Sequence, residues 1–296
     1  MLLMNHGFDI RLFNQPKTYG PITIRAKFYT NEAEAVCWAA AQGNDVALRL
    51  LLDRGCDPSS QAKYPRGSTT RKHGAVYWAI KYQKWNCAWL LLDKGANVHE
   101  TGLLTLAVVA NNLDLVERIV RKGASVDRRD YRPLSTDIGT LQKPNKKYWA
   151  TLHYAAYSRS SDMVEFLLRL GAKVDISTPT GQTPLGISLR YSNRSEELLP
   201  VVELLIKGGA SINHVDRDGQ TALHLAILKN CLAVAKWLLQ KGADVNHVDR
   251  DGRAPPFGGF KMPSGPHQLS KTVSGKRGKC QRTATSKLQS WKYPFT

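Results

Sequence analysis

The sequence predicts an all-α solenoid, a row of stacked helix-turn-helix units with finger-like turns, rather than a globule closed around one pocket. Three observations carry that expectation. The tetrapeptide Asp216-Arg217-Asp218-Gly219 returns as Asp249-Arg250-Asp251-Gly252 after 33 residues, and self-similarity at such a period marks a repeat architecture. A glycine followed by alanine or cysteine recurs at Gly55, Gly95, Gly123, Gly171, Gly209 and Gly242. Shortly before each glycine stands an apolar pair: Leu51-Leu52, Leu91-Leu92, Ile119-Val120, Leu167-Leu168, Leu205-Ile206 and Leu238-Leu239. Each unit therefore ends its second helix in the same way, on a residue position at positive φ that glycine fills without a Cβ penalty.

The elements follow in order from this frame. Residues 1–31 form an incomplete repeat and a linker, because Leu2-Leu3-Met4-Asn5-His6-Gly7-Phe8-Asp9 reads like Leu51-Leu52-Asp53-Arg54-Gly55-Cys56-Asp57 without a unit in front of it. Residues 32–248 hold six units. Their first helices share a column of Val36, Val76, Leu104, Leu152, Leu185 and Leu223, with Ala39, Ala79, Ala107, Ala155, Ser188 and Ala226 three positions later. That spacing puts a large and a small residue on one helical face, which lets paired helices interdigitate. A third column, Trp38, Trp78, Leu106, Tyr154, Ile187 and Leu225, is read as core and inter-unit packing rather than a ligand surface, since helical spacing accounts for it.

The glycine intervals are 40, 28, 48, 38 and 33 residues, and the departures locate loops. The longest interval predicts an extended finger within residues 130–148, and the 40-residue interval an insertion near Lys63-Tyr64-Pro65-Arg66-Gly67. The 38-residue interval places extra chain around Arg190-Tyr191-Ser192-Asn193-Arg194 between the two helices of unit five. The 28-residue interval shortens the finger of unit three to about His99-Glu100-Thr101-Gly102. The second Asp-Arg-Asp-Gly opens a further unit, but Pro255, Pro256, Gly258 and Gly259 follow where a helix is needed, so residues 249–296 read as an aborted repeat start and a basic disordered tail.

The wording Thr183-Pro184-Leu185-Gly186, Thr221-Ala222-Leu223-His224 and Lys241-Gly242-Ala243 resembles the ankyrin repeat. The resemblance implies structural roles for Thr183, Leu185, Gly209, Thr221, Leu223, His224 and Gly242, with the motif threonine and histidine, including His153, tying the helix start to neighbouring backbone. Cys37, Tyr77 and Thr105 stand at the histidine position of units one to three, so the N-terminal half is expected to be the less regular and less stable half. The resemblance also implies a non-enzymatic scaffold that binds a protein partner on its concave and turn-tip surface. The residues chosen for contact are the turn tips: Arg128, Arg129, Tyr131 and Arg132 at the long finger, Arg217 and Asp218 ahead of unit six, and Arg250 and Asp251 after it.

Charge leaves an alternative standing. The chain has 42 Lys and Arg against 24 Asp and Glu, net +18, and nine of the basic residues lie in residues 253–296, which carry no Asp or Glu. Such a tail could bind nucleic acid or an acidic membrane surface. The two irregular ends also read as the recognition fragment of a larger protein whose effector domain lies elsewhere. Catalysis finds no foothold: phosphate-loop, dinucleotide, serine-hydrolase and zinc-protease motifs are missing, so no catalytic residue, metal or cofactor is expected. Asp216-Arg217-Asp218-Gly219 shares D-x-D-G with calcium loops, but the downstream carboxylates are lacking and a tight turn explains it. Five cysteines without a C-x-x-C indicate a reducing compartment, and residues 1–10 are too short and polar for a signal or membrane helix. The expectation is therefore a monomeric, cytoplasmic or nuclear protein without a transmembrane segment.

Overall fold

The computed structural model describes residues 32–62, 72–129, 148–191 and 198–255. Within them twelve helices fall into six pairs: α1 (Glu32–Gln42) with α2 (Asp45–Asp53), α3 (Ala75–Lys81) with α4 (Trp85–Asp93), α5 (Leu103–Val109) with α6 (Leu113–Arg121), α7 (Thr151–Ser158) with α8 (Ser161–Arg169), α9 (Pro184–Arg190) with α10 (Leu199–Lys207), and α11 (Ala222–Leu228) with α12 (Leu232–Gln240). The first helices pack in series, α1 on α3, α3 on α5, and so on to α11. Second helices stack likewise where α2 meets α4 and where α10 meets both α8 and α12. One antiparallel pair of two-residue strands, β1 (Gln61–Ala62) and β2 (His73–Gly74), closes the base of the finger of unit two. An all-α solenoid is what the periodicity predicts, and this short hairpin is its one strand addition among the described residues.

The helix stops explain why the apolar pairs recur. In every unit the closing glycine sits at φ between +84° and +97°. Its N–H and that of the next residue reach back to the apolar pair: Gly55 to the Leu52 carbonyl at 3.0 Å and Cys56 to the Leu51 carbonyl at 3.1 Å, repeated down to Gly242 and Ala243 with Leu239 and Leu238. This double turn satisfies carbonyls that a helix end otherwise orphans. The first residue of each pair and the residue after the glycine are buried, so one short motif closes the hydrogen bonding and seals the core. Helix starts are capped where the sequence offers an oxygen, as when Asn44 and Asn112 accept the N–H of Ala47 and Leu115 at 3.0 Å.

The columns read from the sequence form the core. All twelve residues of the large and small columns are buried, and in the third column Trp78, Leu106, Tyr154, Ile187 and Leu225 are buried while Trp38 is half-buried. Trp78 also donates its indole N–H to the Ala62 carbonyl at 3.2 Å, tying α3 to β1. The aromatic series is packing, as helical spacing predicts.

Two of the loops anticipated from the glycine intervals appear in part. Unit three has a short finger ending at Gly102, after which α5 begins. The extra chain of unit five lies between α9 and α10, where residues 192–197 fall outside the described residues, as do the insertion at residues 63–71, the long finger at 130–147, residues 1–31 and the tail from 256. Among the described residues, no helix is long and apolar enough to cross a membrane.

Candidate interaction surface

Three consecutive finger turns are built alike. Thr178, Asp216 and Asp249 each donate a backbone N–H to the residue four later, at 2.9, 3.1 and 2.8 Å, and each accepts the N–H of the glycine at the turn. The side chain of the first residue locks the turn from within. Asp216 accepts the N–H groups of Asp218 and Gln220 at 3.0 and 2.9 Å, and Asp249 accepts those of Asp251 and Arg253 at 3.0 and 2.9 Å. Asp-Arg-Asp-Gly is thus a tight turn in which one oxygen of the first carboxylate holds the turn's own backbone. Its second copy forms the same turn as the first, so a further finger follows unit six within the described residues.

Neighbouring fingers are joined through the main chain. Arg217 donates its N–H to the Thr180 carbonyl, and Arg250 to the Asp218 carbonyl, both at 3.1 Å. The contact is close enough that a Cβ on Gly219, itself at φ +76°, would lie 2.6 Å from the Arg250 nitrogen. Histidines add a second tie. His153 accepts the Ala150 N–H on Nδ1 at 3.1 Å and donates from Nε2 to the Gln182 carbonyl of the next finger at 3.2 Å. Burial holds its pKa down at about 4, so the ring is neutral in the fold. His224 repeats the arrangement with Thr221, whose hydroxyl lies 2.9 Å from Nδ1, and with the Arg253 carbonyl at 3.2 Å. In unit one Cys37 occupies the histidine position, and its thiol lies 3.4 Å from the Ser60 carbonyl.

A third tie has a sequence signal that the motif does not contain. Four residues after the closing glycine, Ser59, Asp127, Asp175 and Asn213 accept the N–H two residues after the next unit's glycine. The donors are Asn97 at 3.0 Å, Lys173 at 2.9 Å, Ser211 at 3.0 Å and Asp244 at 2.9 Å. The polar column at that position is the mark it leaves in the sequence. Unit two breaks the pattern with His99, whose carbonyl instead accepts from the Arg128 guanidinium.

These ties sort the turn-tip residues. Asp218 faces Arg190 at 3.1 Å, and Arg190 also binds the Asp216 carboxylate and the Gln220 side-chain oxygen. Asp251 pairs with Arg253, and Arg128 is held by the His99 carbonyl and the Thr101 hydroxyl. Among the described residues the side chains of Arg129, Arg217 and Arg250 make no such bond; Arg217 and Arg250 are exposed and Arg129 half-buried. Tyr131 and Arg132 lie outside the described residues. The structure brings Arg128 and Arg129 together on one cleft and Arg217 and Arg250 onto adjacent linked fingers. It does not place the two groups on a single turn.

Two features of this surface lie beyond the motif. An aromatic cluster at the first helices of units four and five joins buried Trp149, just before α7, to Tyr157 in α7 and Tyr191 at the end of α9, with ring centroids 5.3 and 6.0 Å from it and 6.0 Å from each other. Tyr157 and Tyr191 stand five and six positions after the large-column leucines of their units, outside the three buried columns. The other feature is a cleft of about 770 Å³ lined by Thr101, Asp127, Arg128, Arg129, Lys173 and Asp175 together with Val174, Ile176 and Ser177. The described residues hold 22 Lys and Arg against 19 Asp and Glu, net +3, so most of the chain's +18 resides elsewhere in it. Among the described residues no group of His, Cys, Asp or Glu has the arrangement of a metal site.

The family model for ankyrin repeats in three copies matches residues 36–130 and 152–249. The human ankyrin repeat and SOCS box protein 16 is 30% identical over 139 residues, covering 47% of this chain and 25% of that protein. The mouse ankyrin repeat domain-containing protein 53 is 36% identical over 81 residues, covering 27% of this chain and 16% of its own length. The Caenorhabditis elegans poly [ADP-ribose] polymerase tankyrase is 34% identical over 107 residues, 32% of this chain and 5% of that protein. The chain thus spans no more than about a quarter of the length of these curated relatives. The crystal structure of the human ASB11 ankyrin repeat domain superposes with a TM-score of 0.55 at 22% identity, covering 74% of this chain and 89% of that one, and shares the fold. With two matched segments spanning most of the array and the same repeat closure in all six helix pairs, the chain belongs to the ankyrin repeat family, whose repeats mediate protein–protein contacts.

Proposed function

We propose that the array is a non-enzymatic interaction module that holds a partner protein across its finger turns, with Arg217 and Arg250 as the tip contacts. The observation that supports this reading is how charge is distributed at the tips. Every tip carboxylate of the two Asp-Arg-Asp-Gly turns is committed to its own turn or to Arg190 or Arg253, whereas the two arginines between them are exposed without a partner among the described residues. The cross-linked backbone beneath these arginines needs little further ordering on binding, and their guanidinium groups offer planar donors to a carboxylate or carbonyl. Loops held this way by a scaffold are common carriers of recognition.

A photo-crosslinking amino acid at position 217 or 250 tests the reading. The full chain should then couple to its partner in cells, while the same group at Lys207 or Lys236 on the second helices should not. Coupling from the second helices alone would overturn it.

A further inference from the structure

We infer that the cleft between the fingers of units four and five is a docking site for an acidic polypeptide segment, an assignment that names the partner chemistry within the interaction role proposed above and rests on it. Its walls carry three cations, Arg128, Arg129 and Lys173, against two carboxylates, Asp127 and Asp175. The carboxylates are already engaged with main-chain donors across the unit boundaries. Asp127 accepts the Lys173 N–H at 2.9 Å, and Asp175 accepts the Ser211 N–H through both oxygens, at 3.2 and 3.0 Å. Those bonds hold the repeats in register and turn an oxygen of each carboxylate toward the unit boundary, and neither carboxylate is paired with a cation of the cleft among the described residues.

The cations are in the opposite position. Arg128 is fixed through the His99 carbonyl and the Thr101 hydroxyl, which uses only part of a guanidinium that carries five N–H donors. Arg129 and Lys173 have no side-chain partner among the described residues. A pre-positioned arginine with a second arginine and a lysine beside it, in a concavity of about 770 Å³, suits side-chain carboxylates. Val174 and Ile176 on the same wall give the peptide's aliphatic carbons an apolar contact. Docked glutamates would supply the counter-charges that the fold directs elsewhere.

The probe is a fluorescein-labelled peptide of alternating glutamate and glycine, with its glutamine counterpart as control, read by anisotropy on the full chain. The glutamate peptide should bind, the glutamine peptide should not, and binding should weaken as salt rises. Because the basic tail contributes attraction to every version of the chain, the decisive comparison is between variants. Arg129→Glu with Lys173→Glu should weaken binding about tenfold, and Arg129→Gln with Lys173→Gln by less, while Lys229→Glu with Lys236→Glu, an equal change in net charge elsewhere on the array, should leave it near wild type. Circular dichroism verifies that each variant is folded. Equal weakening by both charge reversals, equal binding of the glutamine peptide, or preferential binding of a single-stranded oligonucleotide at the cleft would overturn the assignment. If position 217 or 250 still crosslinks a partner in the Arg129 and Lys173 variant at wild-type yield, the cleft assignment fails while the interaction reading stands.

Discussion

Replacing Glu100 should expose how the array compensates for its shortened finger. In units four and six a histidine ties the helix start to the next finger, but unit two has Tyr77 at that position and unit three offers only a short turn. Glu100 bridges the gap from that turn. Its carboxylate accepts the Gly74 N–H at 3.0 and 2.9 Å at the start of α3 and meets His73 Nδ1 at 2.8 Å. The site is close-packed: the side chain is 12% exposed, and a Cβ on Gly74 would fall 2.7 Å from Glu100 Oε2. Hydrogen bonds to a charged acceptor contribute about 1.5–3 kcal/mol, and a partly buried N–H left unpaired costs about 1–3 kcal/mol. Since the two terms overlap, Glu100→Ala should destabilise by about 2–4 kcal/mol, and Glu100→Gln, which keeps one carbonyl oxygen for Gly74, by about 1 kcal/mol. Repeat arrays need not unfold as one unit, so urea titration followed by tryptophan fluorescence should be paired with amide exchange across α3. The alanine variant should lose protection at Gly74 and the first turn of α3 before units five and six are affected. A shift below about 0.5 kcal/mol for Glu100→Ala, or equal shifts for alanine and glutamine, would refute the bridging role.

Acid should weaken the array through His153. Its pKa is near 4 in the fold, below the ordinary value, so between about pH 6.5 and pH 4 the unfolded chain binds a proton that the folded ring refuses. Stability should therefore fall as pH drops through that window, by up to about 3 kcal/mol at roughly 1.4 kcal/mol per pH unit, and His153→Gln should flatten that part of the curve in urea titrations at stepped pH. Burial pushes the Cys37 thiol up to about 12 and Cys87 to about 11, so both should resist iodoacetamide in the native protein at mildly alkaline pH and react after denaturation, as read by mass spectrometry. Trp78→Ala, which empties a fully buried position beside α1, α5 and β1, should cost about 3–5 kcal/mol in the same urea titration.

The parts of the fold that local chemistry determines were legible in the sequence. A glycine after an apolar pair specifies a helix stop wherever it occurs, so Gly55 through Gly242 could be placed without knowledge of neighbouring units. The buried columns followed for the same reason, since a spacing of three residues fixes a helical face. Bonds between units were harder to see because their partners are about 30 or more residues apart. Asp127 and Asp175 look like exposed turn carboxylates until the Lys173 and Ser211 N–H groups are beside them. Asp218 and Asp251 look like unpaired turn-tip carboxylates for the same reason, and the arginines that pair with them lie on another helix or past the turn. A further local signal carries no motif: Gln83, Asn111, Arg159 and Asn230 hold φ between +53° and +57° between paired helices, a conformation that only the asparagines advertise. Unit two shows why the degenerate half resisted reading. Glu100 replaces a histidine tie from a different unit, so no pattern within one repeat reveals it.

A partner protein held on the finger turns shields the amides of those turns from solvent. Amide exchange of the full chain with and without its crosslinked partner measures this directly. Added protection is expected at the finger turns around Arg217 and Arg250 and at the cleft around Arg129 and Lys173, with the second helices α8, α10 and α12 unchanged. Protection confined to those second helices, with the fingers exchanging as in the free chain, would contradict it.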